Sequence, residues 1–241
     1  IIHNIKELVM KKIYMYAIAV LMFANTIFGQ FNAGASGIIL FPQGEFKQNI
    51  GENGYGISFN GSYKFKGTPF SLGLNTGWAR YGSETRTETL IWPVKVDVTT
   101  GNDIYFAQLF SRIELDAGFI KPYGEILFGF NYLNTNTEIS DVDVFGFDDI
   151  ASDTQFDDIN LSYGFAAGAM IKIYDFQGGN DYLDKLFFDF RMSYMQGGNA
   201  EYLKEGDLIK GANNEILFNK SQSAIDYVTI NVGLSFQFNA Q

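Results

Sequence analysis

Residues 227–238 read Tyr-Val-Thr-Ile-Asn-Val-Gly-Leu-Ser-Phe-Gln-Phe, and their polarity alternates without a break. Val228, Ile230, Val232, Leu234, Phe236 and Phe238 fall on one side, with Tyr227, Thr229, Asn231, Gly233, Ser235 and Gln237 on the other. A period of two sustained over this length marks a strand whose two faces meet different surroundings. The pattern recurs upstream and predicts seven more strands, near 33–42, 54–66, 69–81, 103–116, 122–134, 160–174 and 185–196. In 54–66, Tyr55, Ile57, Phe59, Tyr63 and Phe65 oppose Ser58, Asn60, Ser62 and Lys64. In 185–196, Leu186, Phe188, Phe190, Met192 and Tyr194 oppose Asp189, Arg191 and Ser193. The first strand is the least regular, because Ile38-Ile39-Leu40-Phe41 does not alternate.

The connections alternate as well. Lys66–Pro69 and Ala117–Lys121 are short, and Asp175–Asp184 is a medium turn around Gly178-Gly179-Asn180. Between them lie the longer, polar segments 43–53, 82–102, 135–159 and 197–224. Short turns at one end and long loops at the other are the asymmetry of an outer-membrane barrel. The expected fold is therefore all-β: a closed, antiparallel, eight-stranded transmembrane β-barrel with both termini on the periplasmic side. In 82–102, Trp92-Pro93 and the alternating Val94, Val96 and Val98 suggest that two strands extend beyond the membrane as a hairpin.

Composition narrows the class. The 241 residues are 46% hydrophobic and 17% aromatic but only 18% charged, against about 25% charged in an average chain. So many aromatics exclude a disordered chain. The net charge of −10 argues against a nucleic-acid partner, which draws a basic patch. The absence of cysteine removes disulfides, thiolate metal sites and cysteine catalysis.

Residues 10–29 read as a secretory signal peptide: Met10, Lys11 and Lys12, then the apolar run Ile13–Ala24, then Gly29 before an expected cleavage at Gln30. The run is too short for a spanning helix, which needs about 20 residues. Residues 1–9 precede the start methionine of this leader and read as an over-long gene assignment, leaving 30–241 as the barrel domain. Residues 1–29 hold His3, Lys6, Glu7, Lys11 and Lys12, so the remainder carries 14 basic residues, 26 acidic residues and no histidine.

A soluble β-sandwich or a lipocalin-like barrel also alternates, and parity alone does not say which face points inward. The aromatics favour the membrane barrel. Tyr55, Trp78, Tyr105, Tyr132, Tyr163 and Tyr194 sit on the apolar face at the loop-proximal ends of six strands, as a girdle at a lipid–water interface would.

Asn231-x-Gly233-x-x-Phe236-x-Phe238 resembles the C-terminal signal by which outer-membrane barrels are recognised by the barrel assembly machinery, with Asn239-Ala240-Gln241 trailing the usual terminal aromatic. Residues 30–241 together resemble the small OmpA/OmpX-like outer-membrane β-barrel family. The leader ending Phe28-Gly29 before Gln30 resembles those of Bacteroidetes exported proteins. The resemblance implies a location in the outer membrane of a Gram-negative bacterium, with the lipid bilayer and the assembly machinery as partners.

Eight strands leave an interior just wide enough for side chains to fill. The charges expected inside, Lys64, Arg112, Glu114, Glu125, Lys172, Asp189 and Arg191, nearly neutralise one another and read as an ion-pair plug rather than an ion path. Without histidine the acid–base arrangements of enzymatic small barrels are missing, so the expectation is no enzyme, no catalytic residue and no cofactor. Between Glu138 and Asp158 lie eight acidic residues and no basic one, read as a solvated, self-repelling loop. Asp141, Asp143, Asp148 and Asp149 are a weak calcium candidate, because Ca²⁺ needs 6–8 oxygens. The expected role is structural, adhesive or binding, through extracellular loops. The alternative is an accessory subunit of an outer-membrane transport or secretion complex, docked through the small outward residues Gly61, Ala107, Ser111, Ala167 and Ala169.

Overall fold

The computed structural model describes residues 29–91, 94–141, 149–176, 183–203, 208–210, 216–218 and 220–239. The wall strands are β1 (Gly29–Pro42), β2 (Gly54–Phe65), β3 (Phe70–Ile91), β4 (Val94–Glu114), β5 (Ile120–Asp141), β6 (Asp149–Asp175), β7 (Leu183–Gly197) and β12 (Tyr227–Asn239). Each pairs antiparallel with the next, and β12 pairs back onto β1, closing the barrel. A helix, α1 (Gly44–Ile50), joins β1 to β2. Between β7 and β12, β8 (Asn199–Tyr202) pairs with β11 (Ser221–Ala224), and β9 (Leu208–Lys210) with β10 (Ile216–Phe218).

The eight predicted strands are the eight wall strands. The stagger of the wall can be traced directly. From Asn32 the cross-strand partners run Ser62, Gly73, Phe110, Leu127, Gly164, Met195, Tyr227 and back to β1 at Pro42, about ten residues from the start, which is the tilt that closes a small barrel.

The polar face points inward. Asn75, Gln108, Arg112, Glu125, Asn131, Asp189 and Arg191 are all buried, whereas Leu109, Ile126, Phe128, Leu161 and Phe165 are each more than half exposed. This is the inverse of a lipocalin-like interior.

Aromatics also point inward, and three of them lie over a glycine directly opposite. Phe106 faces Gly77, Phe110 faces Gly73, and Tyr123 faces Gly168. A Cβ on any of these glycines would run into the facing ring. At these three places the ring takes the volume that the neighbouring strand leaves without a side chain.

Two of the long connections are not loops. β3 and β4 remain paired as far as Ile91 and Val94, and β5 and β6 as far as Ser140 and Asp149. β2 leaves β3 at Arg80 and β7 leaves β6 at Ser162, so four strands continue beyond the rim as an open sheet. The predicted solvated loop at 135–159 is therefore mostly a hairpin. The apolar residues of that hairpin, Ile139, Ile150, Phe156 and Ile159, are too sparse among the acidic and polar ones to alternate, which weakened the hydrophobic half of the strand signal. Backbone pairing and β-formers such as Thr85 and Thr99, whose hydroxyls lie 3.0 Å apart, carry the sheet instead.

Gly73→Val tests the ring-over-glycine packing. Overpacking against the Phe110 ring and the Gly61 carbonyl should cost about 1–3 kcal/mol, read as a lower temperature of unfolding. Adding Phe110→Leu should recover the part of that loss that comes from the ring and leave the part that comes from the Gly61 carbonyl.

Candidate functional site

The charged side chains of the lumen form two tiers. In the middle tier Arg112 and Glu125 are direct cross-strand partners on β4 and β5. Arg112 Nε and Nη2 both lie 2.7 Å from Glu125 Oε1. Arg191, on β7, reaches the other oxygen, with Nε 2.8 Å from Oε2. β6 lies between β5 and β7 and presents only Ala166 and Gly168 opposite Glu125 and Arg191, which opens that span. Tyr123 Oη donates to Asp189 Oδ1 at 2.7 Å, and its ring stacks under the Arg112 guanidinium at 4.0 Å.

The lower tier crosses the turn end. Lys64 Nζ lies 2.7 Å from Glu114 Oε1, and Lys121 Nζ lies between Glu114, Asp116 and Gln237 at 3.7, 3.6 and 3.5 Å. Gln237 Nε2 donates in turn to Asp184 Oδ2 at 2.5 Å. A cleft of about 550 Å³ opens below, lined by Gln30, Lys64, Lys66, Thr68, Glu114 and Asp116, so the Lys64–Glu114 pair closes its inner end.

Nearer the loop end the lumen is uncharged. Asn75 donates to Gln108, Gln108 to the Tyr227 hydroxyl, Tyr227 to Asn131, and Asn131 to Asn160, over 2.8–3.1 Å each. The mouth itself is dry: Leu40, Phe46, Ile104, Leu133, Met195, Tyr202 and Ile225 form one buried apolar cluster. Both guanidinium groups of the middle tier are paired with Glu125, and the Asp189 carboxylate accepts from the Tyr123 hydroxyl.

Six of the seven predicted inward charges meet in these tiers. Lys172 does not: it sits at the turn-end rim, about one-third exposed, 3.4 Å from Asp175. Lys121 and Asp184 were missed, because both fall where the alternation was read as turn. The inward rings of Phe106 and Phe110 were also missed. Their signal is an aromatic on the polar parity with a glycine opposite it in the hairpin.

The six girdle aromatics all lie on the outer face, exposed or half-buried. Trp78 pairs with Tyr105 and Tyr105 with Tyr132. Tyr163 and Tyr194 then step toward the turn end from the partners of their neighbours, in the sense that the stagger requires for a level ring. Gly61, Ala107, Ser111, Ala167 and Ala169 are outward too. Asn231 and Gly233 face the lumen, Gly233 packed against β1 at Ala35 and Ser36, while Phe236 and Phe238 face out and Phe238 meets Phe31 at 5.9 Å. Asp143 and Asp148 lie outside the described residues, as do the side chains of Asp141 and Asp149. Among the described residues no group of three or more acidic or histidine ligands converges.

No protein-family model and no curated protein matches the chain. Solved structures similar to it include Ail, the attachment invasion locus protein of Yersinia pestis, at 12% identity and a TM-score of 0.42, covering 88% of this chain and 99% of that one. Neisserial surface protein A is 8% identical at a TM-score of 0.40, covering 88% and 97%. OprG of Pseudomonas aeruginosa is 14% identical at a TM-score of 0.42, covering 89% and 98%. The eight-stranded barrel stands on the chain's own registers, and the roles of those proteins stay with them.

The shared carboxylate gives a sharp expectation. Glu125→Ala leaves two buried guanidinium groups without their partner and should cost about 3–5 kcal/mol, read in a denaturant titration. Replacing Arg112, Glu125 and Arg191 together by Met, Leu and Met should cost far less. Planar-bilayer recordings of the unaltered protein should show no stable large conductance, since both tiers obstruct the lumen.

Proposed function

We propose that the chain is a non-enzymatic outer-membrane barrel of a Gram-negative bacterium, exported by its leader, whose protruding sheet makes contacts outside the cell. The observation that carries the reading is the outer face. Large apolar side chains are exposed on every wall strand, from Phe31 and Ile39 on β1 to Val232 and Leu234 on β12. A soluble monomer tolerates an apolar patch of roughly 300–600 Å², and a face that runs right round a closed wall is suited to lipid. From Tyr105 on β4 to Leu115, one residue past its end, the outward residues span a tilted stretch of roughly 25 Å, the height of an outer-membrane apolar band. The six aromatics bound that band at its loop-side edge, and the Phe236–Phe238 end lies at the opposite rim, where the assembly machinery would read it.

The sheet above the rim favours contact over a purely structural role. Its β6 border is covered, with Gly198 N–H on the Leu161 carbonyl and Glu201 N–H on the Asp158 carboxylate, both at 2.8 Å. On the side of β3 away from β4, no strand among the described residues pairs with it beyond Arg80. That border offers a backbone ladder for an extended partner segment. The accessory-subunit reading draws on the outer face instead, where Ala167 and Ala169 pair with Gly124 and Pro122 to flatten β5–β6.

The unboiled protein should migrate differently from the boiled protein on a gel, because a closed sheet resists detergent. Shortening both hairpins to Gly/Ser turns, from Ser83 to Gly101 and from Asn136 to Thr154, should leave that shift intact and abolish contact. A tag near Asp149 should be labelled on intact cells. Recovery in the soluble periplasmic fraction would end the membrane reading, and labelling only after permeabilisation would reverse the topology. A partner retained in a mild-detergent pull-down by the shortened variant would favour the accessory reading.

A further inference from the structure

α1 lies at the loop end of the lumen, with glycines in the left-handed region at its first residue, Gly44 at φ 57°, and at its C-cap, Gly51 at φ 74°. Gly51 is its C-cap, with N–H on the Lys47 carbonyl at 2.9 Å. A helix of seven residues does not hold itself, so tertiary contacts keep α1 in place. The chief one is Phe46, fully buried. Its ring meets Tyr81 and Tyr202 edge to face, with centroids 5.4 and 5.3 Å apart. Asn49 Nδ2 donates to the Tyr202 hydroxyl at 2.7 Å, and Ser223 Oγ lies 2.8 Å from the same hydroxyl.

The other tyrosine is treated differently. The Tyr81 hydroxyl is buried and has no hydrogen-bond partner among the described residues. Buried hydroxyls are normally paired, and an unpaired one is destabilising. Phe46, the ring packed against Tyr81, carries no polar atom that could serve it. A ring of the same size bearing one hydroxyl would satisfy both the aromatic contacts and the orphan group.

We propose that the space filled by Phe46 is a binding box for a small phenolic compound, and that α1 is a lid occupying the box in the ligand's absence. The ligand's ring takes the place of Phe46 between Tyr81 and Tyr202, and its hydroxyl pairs with that of Tyr81. Gly44 and Gly51 take up the backbone rotation as α1 leaves. The layer beneath, with Ile104, Leu133 and Met195, stays closed, so the box is a terminal site and not an entrance. The inference rests on the lumen and is independent of the role given to the protruding sheet.

The test titrates the folded barrel in nanodiscs with phenol and with toluene, which share a shape and differ in the hydroxyl, following the Tyr81 and Tyr202 ring resonances by NMR. The unaltered protein should bind phenol about three- to tenfold more tightly than toluene. Phe46→Ala should bind both at least tenfold more tightly, because no lid competes. Gly51→Val, which strains the closed lid without touching the box, should also tighten phenol binding. Tyr81→Phe should remain heat-modifiable, unfold at no lower temperature than the parent, and lose the preference for phenol. Equal affinity for phenol and toluene in the parent, or no gain on Phe46→Ala, would make Phe46 ordinary packing and overturn the proposal.

Discussion

The pairing of β12 with β1 sets the terms for the rest of the molecule. Once the last strand hydrogen-bonds the first, the wall has no edge, and its stagger and circumference are no longer free. With eight strands and a return of about ten residues, the lumen is a narrow tube that side chains must fill. Everything inside follows from that limit. Rings lie over glycines, guanidinium groups share a carboxylate, and the two charged tiers are followed by an amide layer and then an apolar one. Outside, the same pleat sends each intervening side chain away from the axis, so filling the tube with polar groups leaves the apolar ones facing outward.

The two ends of the tube are stabilised in different ways. At the turn end Lys64, Glu114, Lys121, Gln237 and Asp184 form a polar floor from five strands. At the loop end an apolar cluster with Phe46 at its centre does the same work without charge. The charged groups are held where pairing is fixed by cross-strand register, as with Arg112 and Glu125. The loop end is closed by an inserted helix, whose seat depends on packing and on two glycine joints.

Much of this was legible before any coordinates. Alternation located all eight wall strands, and parity alone separated Arg112, Glu114, Glu125, Asp189 and Arg191 from the residues that face outward. What escaped has physical causes. Lys121 stands one residue ahead of where alternation becomes visible, next to a turn. The β5–β6 hairpin has too few apolar residues to alternate, so hydrophobic periodicity fades while the backbone ladder continues, whereas the β3–β4 hairpin was signalled by Val94, Val96 and Val98. α1 is too short for a helical period to emerge, although Phe46 and Ile50 stand four apart and both pack into the apolar cluster. The acidic stretch from Glu138 to Asp158 was read by its charge, and charge says nothing about whether the backbone is paired.

The ring-over-glycine pairs bind distant parts of the chain into a shared history. Gly73 and Phe110, Gly77 and Phe106, and Gly168 and Tyr123 each divide one packet of volume between two strands. A mutation that enlarges one member has no room until the other shrinks. Drift at these sites must therefore pass through a smaller intermediate at both, or exchange the ring from one strand to the other. Homologous barrels should carry the aromatic at either member of a pair and seldom at both, a correlation that would be visible even where no single position is invariant.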